Sequence, residues 1–470
     1  MDRQRGFVLL AGLMTVVVLV CATIFVGVGA LGDGGESDGE NGGDRTAASG
    51  GEAGARARTP VGSAAPASAD AWTGTWAAAP AGVEPGVPHG HVGRSIRNVV
   101  HTSIGGTAAR ITLSNLFSRE PLLIGRASVA VAAGESGESG ESGEEVGEVG
   151  EVGEVGERGA SAAPGTMRLI TFGRKASVVV PPGGHVVSDL VRLRVPYDSD
   201  LLVTLHTPAP GGPVTYHPRA LRTSYTALGD RTRDLSGAAY AEGAPVWRYL
   251  TAVDVLNRRA RGAVVVIGDS ITDGIGSSYD ADRRWTDTLA DRVRGSGLGV
   301  LNAGISGNRV LRSSLPAGKG PSAVARFGRD VLGQAGIEVV FVELGINDII
   351  RRPNETDPGR ITAGLRSLTR QAHAWGLRVV GSTLTPFGGN PRHTDRLEGV
   401  RDRVNDAIRS GDVFDRTVDF DRLVRDPYAP DRLRPEYDSG DGLHPSDDGY
   451  AAMGRFVDIE DLVGKEPARL

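Results

Sequence analysis

Residues 264–274 read VVVIGDSITDG. The first four residues form an uninterrupted apolar run, which is typical of a strand that is buried on both faces of a parallel sheet. The run ends at Gly268, and the polar residues after it predict a turn from the strand into a helix. Ser270 lies at this turn, where its hydroxyl can project into a cleft beside the backbone N–H groups of the helix start. A serine at such a turn is, in isolation, more commonly only the cap of the helix.

Strands and helices continue to alternate up to the C-terminus. The predicted strands are VVVIG at 264–268, GVLNAG at 299–304, VVFVELG at 339–345, LRVVGSTLTP at 377–386 and VFDRTVDF at 413–420. Two intervening segments each carry one apolar stripe at helical spacing, formed by Ile361, Leu365, Leu368, Ala372 and Trp375 and by Leu397, Val400, Val404 and Ile408. Such helices must cover a sheet, so residues 257–464 predict a three-layer α/β domain around a parallel sheet.

Residues 72–256 follow a different pattern, in which apolar and polar residues alternate over short runs bounded by Gly and Pro. The runs are RNVVHTSI at 97–104, ARITLSN at 109–115, DLVRLRV at 189–195, LLVTLHT at 201–207 and WRYLTAVDV at 247–255. This period of two predicts an all-β domain, a sandwich of the jelly-roll type. Trp72, Trp76 and Trp247 are more readily interpreted as core residues of this domain than as a platform for sugar rings.

Three further stretches lie outside these regular patterns. Residues 7–32 carry no charge and follow two arginines, so residues 1–32 predict a cleaved signal peptide or a retained membrane anchor, with the rest of the chain outside the cytoplasm. Residues 33–71 are rich in Gly, Ala and Ser and predict a disordered linker. Residues 134–159 repeat GES and EVG triplets without proline, which predicts an acidic, disordered insertion in the β domain rather than collagen.

The composition excludes several classes of partner and site. The net charge is -5, but nine glutamates fall between Glu135 and Glu157, so the rest of the chain is close to neutral or mildly basic and nucleic acid is not an expected partner. Cys21, the only cysteine, lies in the N-terminal apolar run, so we expect no intrachain disulfide and no cysteine-based zinc site. The histidines lack a metal-ligand spacing such as HExxH, so we expect no metal or organic cofactor.

Two more motifs follow later strands of the predicted α/β domain. NAGISGN at 302–308 places Gly307 in a loop, where a glycine lets its backbone N–H approach a negatively charged oxygen, although a simple turn explains it equally well. GIND at 345–348 supplies Asn347, whose side-chain amide can donate to the same oxygen or cap the next turn. Each motif is weak evidence by itself.

The fourth motif is DGLH at 441–444, followed by Pro445 and a predicted helix that begins near Ser446. The short spacing lets one loop deliver both Asp441 and His444, with the carboxylate holding the imidazole in the tautomer that can accept a serine proton. A solvated surface histidine beside an aspartate is the alternative. The order of the four motifs, each at the end of a strand of one domain, favours the catalytic interpretation.

Together the four motifs resemble those of the SGNH (GDSL-type) hydrolases. The segments VVVIGDSITDG, GINDI and YDSGDGLHPSDDGYAAM are most similar to the arylesterase and acylhydrolase subgroup associated with xylan degradation. The resemblance covers roughly residues 257–460, and the β domain that begins at Trp72 also resembles the N-terminal domain of some bacterial members.

This resemblance implies a role for each site residue. Ser270 is the expected nucleophile, His444 the base and Asp441 the acid that orients it. Gly307 and Asn347 are expected to join the backbone N–H of Ser270 in an oxyanion hole.

Four neighbouring residues are expected to play supporting roles. Asn308 departs from the commonest family pattern, which has an acidic residue after the loop glycine, and this leaves the partners of that loop open. Asp269 and Asp273 flank the nucleophile and are expected to form structural hydrogen bonds, and Glu343 is expected to support the GIND loop.

The expected function is therefore hydrolysis of short acyl or aryl esters by an exported serine esterase, acting on a small molecule or a polysaccharide. A lipase or phospholipase is one alternative. A carbohydrate-binding wall protein with an inactive hydrolase domain is the other. The stretches between the four motifs contain no long amphipathic helix with an exposed apolar face, and the loop at 312–323 is small and polar, so a lipase lid is disfavoured. The polar segment at 386–393 is suited to hydrogen-bonding the alcohol portion of a substrate, although a plain connecting loop explains it equally well.

Overall fold

A computed structural model describes residues 72–133, 160–315 and 318–464. The predicted export segment, the predicted linker up to residue 71 and the predicted acidic insertion at 134–159 lie outside the described residues. Among the residues that are described, no helix has both the length and the apolar character needed to cross a membrane.

The N-terminal part consists of antiparallel sheets. Its strands are β1 (Trp72–Ala77), β2 (Gly82–Val83), β3 (Arg94–His101), β4 (Ala109–Ser114), β5 (Leu122–Ile124), β6 (Arg126–Val131), β7 (Arg168–Ile170), β8 (Val178–Val180), β9 (His185–Val187), β10 (Asp200–Thr207), β11 (Thr215–His217), β12 (Ser224–Leu228), β13 (Glu242–Ala244), β14 (Trp247–Arg248) and β15 (Leu250–Leu256). The two larger sheets have the strand orders β1-β15-β4-β9 and β13-β12-β3-β10-β6-β7.

One apolar core fills the space between these two sheets. Val203 and Leu205 of β10 share it with Ile111 and Leu113 of β4, because alternate residues of each strand point to the same face. Trp76 and Trp247 lie in this core with their ring centroids 4.9 Å apart, which rules them out as an exposed sugar platform. The predicted all-β architecture is therefore present.

Two of the predicted strand runs differ from the structure. Residues 189–195 alternate between buried and exposed as predicted, yet they form only isolated bridges, since the N–H of Leu193 donates to the carbonyl of Val191 within the segment. The run 247–255 is divided between β14 and β15 at Tyr249, which has a φ of 61°. Alternation reports which face is buried, but it does not report whether the ladder of hydrogen bonds is continuous.

The C-terminal part is a five-stranded parallel sheet covered by helices on both faces. Its strands are β16 (Gly262–Gly268), β17 (Leu298–Gly304), β18 (Ile337–Glu343), β19 (Arg378–Ser382) and β20 (Arg416–Val418). Its helices are α1 (Ser270–Asp273), α2 (Trp285–Arg292), α3 (Ala323–Phe327), α4 (Ile346–Ile350), α5 (Pro358–His373), α6 (Asp395–Arg409), α7 (Phe420–Val424), α8 (Asp447–Phe456) and α9 (Ile459–Val463), with further short turns at Arg294–Ser296, Gly328–Leu332 and Pro435–Tyr437.

Alternate residues of β16 enter two separate cores, as the three-layer prediction requires. Val265 and Ile267 pack with the apolar stripes of α5 and α6, whereas Val264 and Val266 pack with α2 and α8. The predicted stripes are buried as expected, with two exceptions. Leu397 is only partly buried, and Trp375 follows the end of α5 and is 43% exposed. Asp357 begins α5 by accepting a hydrogen bond from the N–H of Gly359, and Pro358 occupies the first helical position, where its missing N–H costs nothing.

The strand order in the parallel sheet is β17-β16-β18-β19-β20. The chain therefore moves outward from β16 to β17 and then crosses back to β18, which creates a switch point between β16 and β18. In open α/β sheets, ligands bind at the carboxyl ends of the strands at such a point, because the two following loops diverge and leave a crevice. The loop after β16 begins with Asp269, and the short helix α4 that follows β18 contains Asn347.

Candidate active site

The loop after β16 places Ser270 at the bottom of an open cleft of about 1350 Å³. Asp269 caps α1 by accepting a hydrogen bond from the N–H of Ile271 at 3.1 Å, which fixes the start of the helix. Ser270 is the first residue of α1, so no carbonyl of the helix accepts its N–H. The side chain of Ser270 is buried apart from the atoms that face the cleft.

His444 and Asp441 reach Ser270 from the loop before α8. The Nε2 atom of His444 lies 2.9 Å from the Ser270 hydroxyl oxygen, and its Nδ1 atom lies 2.6 Å from an Asp441 carboxylate oxygen. These two hydrogen bonds place the proton on Nδ1 and leave Nε2 free to accept the serine proton. The structure thus links the three predicted catalytic residues by one continuous series of hydrogen bonds.

The carboxylate of Asp441 is stabilised in its charged form. Burial raises its pKa, but hydrogen bonds from the side chain and the backbone N–H of His444 and from the N–H of Leu443 outweigh that effect and lower the pKa to about 2. Asp441 therefore stays ionised at any pH at which the enzyme is expected to work. The same hydrogen bonds fold the loop so that His444 faces Ser270.

Asn347 lies in α4, just after β18. Together with Gly307, it is one of the two residues outside α1 that are predicted to donate to the oxyanion. Its Nδ2 atom donates to the Asp269 carboxylate at 3.0 Å. An amide nitrogen carries two hydrogens, so one is held by Asp269 while the other remains available to an oxygen in the cleft. Asp269 thereby links the Ser270 turn to the Asn347 side chain.

Replacing Asn347 with Ala should lower kcat for ester hydrolysis about 10²–10³-fold, which is the usual cost of losing one oxyanion donor. KM should change only a few-fold, because the donor acts on the charge that develops in the transition state. Steady-state kinetics on a p-nitrophenyl ester would measure both constants, with Asn257→Ala, remote from the cleft, as the control. A raised KM with unchanged kcat would instead assign Asn347 to substrate binding.

Gly307, the second of those donors, has a φ of 75°, the left-handed region that favours glycine. A Cβ atom at this position would also collide with the side chains of Arg351 and Lys319. The carbonyl of Gly307 accepts a hydrogen bond from Nη1 of Arg351 at 3.0 Å. Arg351 therefore helps to orient the peptide group that follows Gly307.

A buried pair that the sequence analysis did not single out anchors the same loop. Asp273 accepts hydrogen bonds from the N–H and hydroxyl of Ser306, and its other oxygen lies 2.9 Å from Nε2 of His217. Burial lowers the pKa of His217, but the charge of Asp273 and the hydrogen bonds outweigh it, so the pKa is raised overall. His217 belongs to β11, so the β part of the chain directly supports the loop that carries Gly307.

Asn308 also has structural partners. Its amide nitrogen donates to the carbonyls of Lys319 and Pro321, and its amide oxygen accepts from Nε of the buried Arg326. Arg326 also reaches the carbonyls of Ala303 and Gly268. An asparagine at this position therefore joins two loops of the site, which identifies the partners that the sequence left open.

Glu343 lies beneath the cleft at the end of β18. It accepts a hydrogen bond from the Thr272 hydroxyl at 2.9 Å, so its hydrogen bond supports the Ser270 helix rather than the predicted GIND loop. Burial and the neighbouring Asp269 raise the pKa of Glu343 well above its ordinary value.

Asp348, in the same turn as Asn347, carries a pH-dependent part of the stability. Burial raises its pKa to about 6, although the N–H groups of Val310 and Leu311 donate to it. Its proton is therefore bound more tightly in the folded chain than in the unfolded chain. The resulting stabilisation is fully present below the ordinary pKa of 3.8 and is lost as the pH rises toward 6, by up to about 3 kcal/mol.

We therefore expect the slope of unfolding free energy against pH, between pH 4 and 6, to be less negative in Asp348→Asn than in the unmodified protein. Urea unfolding at several pH values would measure this slope. Asp406→Asn, which removes an exposed carboxylate on α6, should keep the original slope. Identical slopes in all three proteins would contradict the assignment.

One group of described side chains has a geometry that could hold a metal ion, and it lies outside the cleft. It consists of His101, Asp200 and Asp282. Arg222 forms ion pairs with both carboxylates, so the position between them is already supplied with a positive charge. The structure thus assigns these residues to an ion-pair network that joins the β part to the loop before α2.

The site consists of a serine hydroxyl, an imidazole and a carboxylate linked in series, with an amide donor beside the hydroxyl. This arrangement defines the class of the serine hydrolases. Within that class, residues 266–452 match the model of the GDSL-like lipase/acylhydrolase family. This match covers less than half of the chain and makes the α/β part similar to that family, and the protein is a carboxylic ester hydrolase.

Several solved structures are similar to the chain. A GDSL-like lipase from Bacteroides thetaiotaomicron VPI-5482 is 20% identical, with a TM-score of 0.32 over 43% of this chain and 88% of that one. The carbohydrate acetylesterase Est24 from Sinorhizobium meliloti is 18% identical (TM-score 0.31, 41% and 94%), and the aryl esterase of M. smegmatis is 19% identical (TM-score 0.33, 41% and 94%). A comparison with curated proteins gives no match.

Proposed function

We propose that this protein is an exported serine esterase that hydrolyses short acyl esters through an acyl-enzyme on Ser270. The observation that carries the proposal is the chain of hydrogen bonds from the Ser270 hydroxyl through His444 to Asp441, at the base of an open cleft. The export segment predicted at residues 1–32 supports the location outside the cytoplasm.

Acylation begins when Nε2 of His444 accepts the Ser270 proton as the hydroxyl oxygen attacks the ester carbonyl. The carbonyl oxygen becomes negatively charged and is stabilised by the N–H groups of Ser270 and Gly307 and by the Asn347 amide. His444 then protonates the alcohol as the bond to it breaks. Water repeats the sequence on the acyl-enzyme and releases the acid and free Ser270.

The lining of the cleft favours a short acyl group. Its apolar and aromatic residues are outnumbered by polar and cationic ones; they are Leu221, Ile275, Tyr279, Ile350, Pro391, Leu397 and Leu443. A long acyl chain needs a continuous apolar surface to leave water, and a lining in which polar and cationic residues are the majority suits a short acyl group better. The alcohol portion, by contrast, can be large and polar, as in a carbohydrate.

The chain-length dependence of hydrolysis tests this proposal. We expect kcat/KM to be highest for p-nitrophenyl acetate and to fall from butyrate to longer esters, and we expect acetate release from acetylated xylan. Rates that rise through long chains, together with hydrolysis of phospholipid vesicles, would replace the proposal with a phospholipase. An absence of turnover on every ester would favour a non-catalytic carbohydrate-binding protein.

The proposed location has its own test. Expression of the full chain in a bacterial host, followed by separation of cytoplasm, membrane and medium, should place the esterase activity outside the cytoplasm. Protease added to intact cells should then degrade any membrane-attached form. Activity confined to the cytoplasm would overturn this part of the proposal without affecting the chemistry.

A further inference from the structure

The catalytic cleft carries an unusual concentration of positive charge. Six cationic side chains line it: Arg219, Lys319, Arg351, Arg352, Arg392 and Arg396. Among the described residues that line the same cleft there is no aspartate or glutamate. The charge comes from both parts of the chain, since Arg219 follows β11 and the others follow strands of the parallel sheet.

None of these six side chains forms an ion pair with a carboxylate in the described part of the protein. Arginines elsewhere on the surface do find such partners: Arg294 pairs with Asp198, Arg360 with Glu355 and Arg422 with Asp419. Other arginines outside the cleft, such as Arg403, also lack a carboxylate partner among the described residues. What distinguishes the cleft is that six cations face one cavity whose described lining contains no carboxylate. A set of like charges that face one cavity repel each other, and a bound anion relieves that repulsion.

Lys319 shows where the anion would lie relative to the chemistry. A Cβ atom placed on Gly307 would lie 3.0 Å from the Nζ atom of Lys319. The ammonium group is therefore next to the loop that carries Gly307. Lys319 is half-buried, and burial together with the charges of Arg351, Arg219 and Arg392 lowers its pKa. An anion in the cleft would offset both the burial of the Lys319 ammonium group and its repulsion by the three arginines.

We propose that the natural substrate of this esterase carries an anionic group, a carboxylate, sulfate or phosphate, which binds the cationic side chains beside the scissile ester. The inference rests on the proposed function of the same cleft. The transition-state oxyanion alone does not account for the charge, because it is a single oxygen with three donors of its own, whereas the six cations come from both the β part and the α/β part of the chain. A substrate group at some distance from the carbonyl fits this spread.

A matched pair of acetyl esters tests the proposal, namely 4-acetoxybenzoate, which is anionic, and its neutral methyl ester. Dividing each kcat/KM by the rate constant for hydroxide hydrolysis removes the difference in intrinsic reactivity. At low salt we expect the corrected value to be at least about tenfold higher for the anionic ester. Added NaCl should reduce this preference and leave the neutral ester little affected, because salt screens exposed charges.

Variants that remove a positive charge test whether the preference for the anionic ester comes from the cleft. Lys319→Met and Arg392→Gln should each lower the ratio of anionic to neutral turnover several-fold. Arg403→Gln removes one positive charge from the exposed face of α6, outside the cleft, and should keep the original ratio. The ratio is informative even if a variant lowers both rates, since a general loss of activity affects the two esters alike.

The outcomes separate the two proposals. Turnover of both esters with equal corrected efficiency, or a preference that neither salt nor the cleft variants change, would overturn the anionic substrate while leaving the esterase intact. Turnover of neither ester would overturn the esterase itself. Acetate release from acetylated polygalacturonate in preference to acetylated xylan would support a carboxylated glycan as the source of the anion, and the reverse preference would count against it.

Discussion

Ser270→Ala should lower kcat for ester hydrolysis by at least about 10⁴-fold, because it removes the only atom that forms the acyl bond. The remaining parts of the site can still bind and polarise an ester, so a small residual rate is expected. The thermal midpoint should be nearly unchanged, since the Ser270 side chain loses only one hydroxyl that faces an open cleft. Kinetics on p-nitrophenyl acetate and a thermal unfolding curve measure the two effects.

A fluorophosphonate reagent provides an independent measurement of the same prediction, because it reacts with an activated serine hydroxyl. One label per protein molecule is expected, on Ser270. Ser278→Ala is the matched control, since the Ser278 hydroxyl donates to Asp447 outside the cleft, and this variant should be labelled and active. Full labelling of Ser270→Ala would show that another residue is the nucleophile.

The sequence could predict that the site residues lie close together in the fold, because their positions depend on a simple geometric rule. Ser270 and Asn347 each follow a largely apolar strand, and the carboxyl ends of parallel strands meet at one edge of the sheet. The DGLH loop does not follow a strand, which corrects the prediction, because α7 and the turn at Pro435–Tyr437 separate it from β20. Two residues between Asp441 and His444 are nevertheless enough for one loop to present both. Local sequence therefore determined these positions.

Contacts between segments distant in the sequence could not be predicted in this way. His217 lies 56 residues before Asp273, and no local pattern indicates that a histidine of the β part is bound to a carboxylate of the α/β part. The positive charge of the cleft could not be predicted either, because Arg219 and Arg392 are far apart in the chain and only the fold brings them to one cavity. Composition alone describes the same chain as slightly acidic.

Asp441→Asn should lower kcat about 10³–10⁴-fold while KM changes only a few-fold, because it changes the position of a proton rather than the shape of the cleft. The asparagine oxygen can still accept from the N–H groups of Leu443 and His444, so the loop should persist. Asp438→Asn is the matched control in the same loop: Asp438 accepts from the N–H groups of Gly440 and Gly442 and does not contact His444. It should keep most of the activity.

The tautomer of His444 explains why such a small change has so large an effect. In the native protein the Asp441 carboxylate only accepts, so Nδ1 must carry the proton and Nε2, 2.9 Å from the Ser270 oxygen, has a free lone pair. An asparagine amide that turned its NH₂ group toward Nδ1 would force the proton onto Nε2, which could then no longer accept the serine proton. The carboxylate also stabilises the imidazolium that forms during attack, and a neutral amide does not. Since the pKa of Asp441 is held at about 2, acidification between pH 7 and 4 does not reproduce the effect of the variant through this residue. A raised KM with unchanged kcat in Asp441→Asn would show instead that Asp441 contacts the substrate and that the His444 tautomer is set by another group.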